Sequence, residues 1–257
     1  MTFGSTFGRV FSPTFQPHSV SGGKFKPTDI SGCKLWLDFA DPDTMFTDDG
    51  STKVANDGDK IYRINDKSGN DYHAKQTYAT DRPQYKTGIK NGLSSGLFIN
   101  YNKMPLPNGL RDLLTQTFTI FAAIKFLSVQ GGQYAGIGSA YYSAGGFLIL
   151  KHSNNKMMFT WNSAKYIYSN TSIADNTWYL IGTKFDHPNT YAGLFINSSL
   201  ENSSSNTTVI GTGYTLGIGK ETSNNQYFSE VVIYNSALSD SDRGKVETYL
   251  NNKWAIY

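Results

Sequence analysis

Four glutamates, Glu201, Glu221, Glu230 and Glu247, are the residues with which this chain would have to do acid–base chemistry on a sugar. Glycosidic hydrolysis needs two carboxyl groups on one face, about 5 to 9 Å apart, usually from neighbouring positions of one strand. None of the four has a second acid two or four residues away on the same strand, so no catalytic residue is assigned and the chain reads as non-enzymatic. Aspartates crowd the stretch Asp38, Asp41, Asp43, Asp48 and Asp49, with Asp57 and Asp59 beyond. Such oxygen ligands suit calcium, but the loop spacing with its terminal bidentate glutamate is missing, and aspartates in turns commonly bind their own backbone. No metal site is assigned and no cofactor is expected, calcium being the one ion that the acids leave open. The histidines His18, His73, His152 and His187 share no ligand-like spacing. Cys33 is a lone small packing residue, and no Gly-x-Ser-x-Gly elbow stands on a strand–helix turn.

Aromatic residues make up 14% of the chain against 17% charged, and two groups of them could bind. Tyr141, Tyr142, Trp161, Tyr166 and Tyr168 fall together beside Asn and Ser, and flat rings next to polar donors suit sugars. These five are the candidate glycan platform. Alternate side chains of a strand face opposite sides, so Tyr166 and Tyr168 share one face and Ile167 the other, and one set must be buried. Phe3, Phe7, Phe11 and Phe15 recur at every fourth residue of a segment rich in Gly, Ser, Thr and Pro. The spacing is helical, but Gly4, Gly8, Pro13 and Pro17 break a helix. Residues 1–27 therefore read as an extended anchoring arm, its four phenylalanines each gaining roughly 1.5–3 kcal/mol when a partner buries them.

The elements that carry these residues are short and alternating, between turns of Gly, Asn, Asp and Ser. Strands are predicted over 34–39, 117–126, 146–152, 156–161, 165–169, 177–185, 191–197, 214–220 and 226–234, the central three forming a meander. One helix is predicted at the end: Ser239 caps it, Val246, Tyr249 and Leu250 make an apolar stripe, and it should seal one end of a sandwich. The net charge of +3 comes from 23 basic and 20 acidic residues without a block of one sign, which argues against nucleic acid as a partner. No apolar run approaches the ~20 residues that span a bilayer. No signal-peptide pattern opens the chain, so synthesis in a host cytoplasm and no membrane partner are expected.

Several words of sequence stand in a telling order. Leu35-Trp36-Leu37-Asp38 is followed by Ile64-Asn65-Asp66-Lys67-Ser68-Gly69-Asn70 with His73-Ala74, and then by Arg82-Pro83-Gln84-Tyr85. The second half continues with Thr177-Trp178-Tyr179-Leu180-Ile181, Gly193-Leu194-Phe195-Ile196-Asn197 and Phe228-Ser229-Glu230-Val231-Val232-Ile233-Tyr234. Together they resemble the laminin-G-like, concanavalin A-like lectin/glucanase superfamily, in the form found in tailed-phage structural proteins and bacterial surface proteins. The resemblance implies an all-β, concanavalin-like jelly-roll sandwich of two antiparallel sheets over residues 28–257, with a short C-terminal helix.

Function is expected to follow from display. The first expectation is a phage virion structural protein, a head decoration, head fibre or tail component. Its arm would dock on other capsid or tail proteins, and it would be a homo-oligomer such as a trimer, located in the virion and able to meet a host surface glycan. The alternatives are a bacterial carbohydrate-binding or adhesion module and a degenerate glycoside hydrolase.

Overall fold

The computed structural model describes residues 1, 24–128, 135–139, 145–162, 164–219 and 225–257. In the first half of the chain these form β1 (Cys33–Asp38), β2 (Met45–Phe46), β3 (Arg63–Ile64), β4 (Ala74–Lys75), β5 (Gln84–Lys90), β6 (Leu93–Phe98), β7 (Lys103–Pro105), a short α1 (Asn108–Asp112) and β8 (Thr117–Ser128). The second half holds β9 (Ala135–Ser139), β10 (Phe147–Lys151), β11 (Lys156–Trp161), β12 (Lys165–Ser172), β13 (Trp178–Asp186), β14 (Tyr191–Ile196), β15 (Ser199–Ser204), β16 (Leu216–Gly219), β17 (Asn225–Tyr234) and α2 (Asp240–Trp254).

One antiparallel sheet has the order β15-β14-β13-β8-β17-β6-β5, with β1 also paired to β17; the second has the order β12-β11-β10-β9-β16-β7. A small third sheet, β2-β3-β4, adds Met45, Ile64 and Ala74 to the same core. Between the two large sheets lie Ile120, Ala122, Ile124, Ile181, Val231 and Ile233 from one side and Ile137, Phe147, Ile149, Phe159 and Ile218 from the other. Phe118 stacks on Phe185 at 5.3 Å between centroids, and burial of each such side chain stabilises by about 1.5–3 kcal/mol. The predicted meander is present as β10, β11 and β12, its turns made by Asn155 and Asn162 at φ of 59° and 48°. Asparagine tolerates that left-handed conformation better than most residues. A Cβ at Gly136 would sit 1.6 Å from the Ile149 carbonyl, so the close approach of β9 to β10 admits only glycine.

The helix lies elsewhere than the sequence predicts. Ser239 Oγ does accept from the Asp242 amide and so caps α2. Instead of sealing an end, α2 lies across the outer face of the eight-stranded sheet, where Val246, Leu250 and Trp254 bury against Phe121, Ala123, Leu180, Val232 and Tyr234. The cause is in the strands: β8, β13 and β17 carry apolar residues on both faces at their centres, and a face of that kind must be covered. The chain before β1 takes part as well. Pro27 is buried, Tyr234 Oη donates to its carbonyl at 2.8 Å, and the Phe25 ring meets Tyr249 edge-on at 6.0 Å. The arm boundary read after Pro27 thus falls inside the packed region, while Phe3, Phe7, Phe11 and Phe15 lie outside the described residues.

Candidate functional site

Of the five residues of the expected glycan platform, two meet. Tyr166 and Tyr168 stand on the outer face of β12 with ring centroids 5.2 Å apart at 61°, and the His152 ring lies 5.2 Å from Tyr168. Tyr166 is 56% exposed, while Ile167 between the two is buried in the core, as alternation requires. Trp161 is a correction. It shares the parity of Phe159, so its ring turns inward, 5.1 Å from Phe159 and 5.9 Å from Phe185, and only 1% of the residue is exposed. Its indole N–H is used up on the Asn206 carbonyl at 3.1 Å. Tyr141 and Tyr142 lie outside the described residues.

The platform has a firm base. Directly opposite Tyr168 is Met158, which with Leu148 and Leu150 makes a separate buried cluster that Tyr168 packs against. The far edge of β12 is tied to β15 by side chains: Thr171 N–H and Oγ1 donate to the two oxygens of Glu201 at 2.7 and 2.8 Å, and Asn202 Nδ2 donates to the Tyr168 carbonyl at 3.1 Å. These bonds bridge the two sheets and occupy an edge that would otherwise be open.

Glu230 has no exposed surface and accepts four donors. Trp36 Nε1 lies at 2.6 Å, Trp254 Nε1 at 2.7 Å, Lys253 Nζ at 2.8 Å and Tyr249 Oη at 2.9 Å. The Lys253 ammonium also reaches Asp38 at 2.6 Å, and Asp38 takes a second ammonium, that of Lys67, at 3.0 Å. Burial, and then the Asp38 carboxylate, push the Glu230 pKa upward, and Lys253 and Trp254 pull it back. With four donors aimed at it, the carboxylate is a clamp between β17, β1 and α2. Sequence reasoning assigned Glu230 no catalytic role and named none of its partners, because they lie 19 to 194 residues away in the chain.

The Asp66-Lys67-Ser68-Gly69-Asn70 segment works in the same way. Asp66 Oδ1 accepts from the Trp36 and Ser68 amides, Ser68 Oγ donates to the Lys34 carbonyl, and Asn70 Nδ2 donates to the Cys33 carbonyl, so the turn clips onto the free edge of β1. Lys67 Nζ sits 4.7 Å above the Trp36 ring and also reaches Asp41 at 2.7 Å. Of the remaining aspartates of this region, Asp48 and Asp59 hold turns, Asp48 accepting from Gly50, Ser51 and Thr52 and Asp59 from Ala55 and Asn56, while Asp43, Asp49 and Asp57 pair with Lys53, Lys75 and Lys86. Cys33 is buried, and its thiol is pushed up to about 12 by that burial first and by Asp66 next.

Set beside known proteins, residues 99–242 match a laminin G family model described as the Concanavalin A-like lectin/glucanases superfamily, and that match spans more than half of the 257 residues. The chain belongs to this family. Among solved structures it is similar to the binding domain of Paraclostridial Mosquitocidal Protein 1, with 16% identity and a TM-score of 0.60 over 89% of this chain and 53% of that one. It is similar to the binding domain of botulinum neurotoxin DC in complex with SialylT, at 17% identity and a TM-score of 0.53 over 88% and 52% of the two chains. The sialidase of Trypanosoma rangeli follows at 13% identity and a TM-score of 0.56, over 87% of this chain and 33% of the sialidase. The chain therefore spans from a third to about half of these proteins, and at such identities the likeness is one of fold. No curated protein matches the sequence. The domain is a lectin-like jelly roll.

Proposed function

We propose that this chain is a non-enzymatic display module, a jelly roll that binds glycan through Tyr166 and Tyr168 and is carried on a phage virion by its N-terminal arm. The observation that carries the binding half is the exposed ring of Tyr166 beside Tyr168, fixed on the outer face of a strand. Rings held in place this way lose little freedom when a sugar stacks on them. The fold supports the same reading, since one neurotoxin binding domain of similar fold was solved in complex with SialylT. The non-enzymatic half rests on Glu230, whose oxygens are occupied by four structural donors and closed to solvent. The virion setting rests on the arm, where four phenylalanines among glycines and prolines suit docking into apolar pockets of capsid or tail proteins. A homo-oligomer such as a trimer would give the display avidity.

Co-expression with the genes that flank its own, followed by gradient purification of the particles, tests the setting. The wild-type chain should sediment with the particles, and a variant with Phe3, Phe7, Phe11 and Phe15 all changed to Ser should stay at the top of the gradient. Co-sedimentation of the serine variant would remove the arm as anchor, and absence of particles in every flanking-gene combination would remove the virion reading.

A further inference from the structure

A second aromatic surface lies on the opposite side of the sandwich. On β8, Lys125 stands directly opposite Trp178 of β13 and Tyr227 of β17, and Tyr227 in turn stands opposite Leu97 of β6. All four side chains are part-exposed. They extend the row of Phe121, Ala123 and Leu180 on the outer face, past the part that α2 covers. The two rings lean toward each other, with centroids 6.2 Å apart and planes at 35°. The Lys125 ammonium sits 5.9 Å from the Trp178 ring and 5.6 Å from the Tyr227 ring. Among the described residues no carboxylate pairs with Lys125, whereas Lys151 and Lys184 elsewhere in the sandwich have Asp175 and the Tyr191 ring for company.

We infer that Trp178, Lys125 and Tyr227 form a second saccharide site, distinct from the Tyr166 platform and selective for sugars that carry a carboxylate. Three features point there. The row sits on three neighbouring strands of one sheet, so the backbone ladders fix its geometry before any ligand arrives. Strands two apart are separated by about 10 Å, and the rings narrow that gap to a footprint on the scale of a disaccharide. The C–H face of a pyranose stacks on such rings, while an ammonium set between them, with no carboxylate partner among the described residues, supplies the charge-assisted partner for a uronic or sialic acid carboxylate. Single-stranded nucleic acid also stacks on aromatic rings, but it needs cations tracking a backbone, and among the described residues Lys125 is the one ammonium set against these two rings.

The test uses the full chain on an array of oligosaccharides bearing glucuronic or sialic acid, printed beside their carboxyl-reduced counterparts, with a thymidine oligonucleotide as competitor. The wild type should retain the acidic forms at least about tenfold better than the reduced ones, Lys125→Met should erase that preference, and Trp178→Leu should remove retention of both. Melting curves matching the wild type confirm that the variants are folded, and Tyr166→Ala should leave acid-selective retention intact. Equal retention of reduced and acidic forms, unchanged retention by Trp178→Leu, or displacement by the oligonucleotide would overturn the site. Loss in Tyr166→Ala alone would assign the binding to the other platform and likewise overturn this one.

Discussion

The outer faces of the two sheets follow the same alternation and are finished in opposite ways. On the eight-stranded sheet, Phe121, Ala123, Leu180, Val232 and Tyr234 point outward, and α2 closes over them with Glu230 gripping Trp36, Tyr249, Lys253 and Trp254 at the seam. On the six-stranded sheet, β12 keeps Tyr166 in solvent beside Tyr168. The difference teaches where the chain spends its polar chemistry. The acid with no exposed surface serves cohesion, and the exposed rings are those on which the proposed binding rests.

Breaking the covered face should give the largest effect. Glu230→Ala leaves two indole N–H groups and a phenol without their acceptor and the Lys253 ammonium with Asp38 alone, and removing one partner of such a buried network costs about 3–5 kcal/mol. For a domain of this size that corresponds to a fall in melting temperature of very roughly 6 to 20 °C, read by circular dichroism. A shift within a degree would mean that α2 is held by its apolar stripe alone. The next effect concerns the chain that leads into this face. Deleting residues 1–23 should leave the melting temperature unchanged, whereas extending the deletion through Pro27 should cost about 1–3 kcal/mol, because the Phe25 ring and the Tyr234–Pro27 hydrogen bond go with it.

The open face should respond to mutation far less. Tyr166→Ala is expected to change stability by no more than about 0.5 kcal/mol in a urea titration, as for other exposed positions; a larger loss would make Tyr166 part of the fold and not of a platform. The smallest effect is a pH dependence, and it sets an exposed carboxylate against the buried one. Thr52, through its amide and then its hydroxyl, and the Ser51 and Gly50 amides hold Asp48 down at about 2, against an ordinary value of 3.8. Its folded pKa is depressed, so its contribution is present above about 4 and is lost as pH falls toward 2. Asp48→Asn should flatten that part of the melting-temperature profile, and an unchanged profile would deny these bonds any role.

Much of the architecture was legible because it depends on local pattern. The meander followed from apolar alternation interrupted by Asn154-Asn155 and Asn162, and the start of α2 from Ser239 and Asp242. The short strands β5, β6, β7 and β15 escaped because their residues are mixed and only partly buried, and β2 to β4 because two residues carry no period. The site was half legible. Parity tied Tyr166 to Tyr168, but which face was buried depended on the other sheet, and Trp161 went to the core with Phe159. The Glu230 clamp and the Trp178–Tyr227 pair were invisible in principle, since register between distant strands brings their members together.

The central claim is that the Tyr166 face binds glycan without consuming it, and retention on a glycan array followed by recovery of the bound sugars measures both halves together. The account predicts that, beyond the acid-bearing oligosaccharides and their reduced forms held at Trp178, the wild-type chain retains a defined subset of neutral glycans, that these are recovered intact, and that a normally folded Tyr166→Ala variant binds them at least about tenfold more weakly, a difference of about 1.4 kcal/mol. No retention by the wild type, equal retention by the variant, or recovery of cleaved products would contradict it.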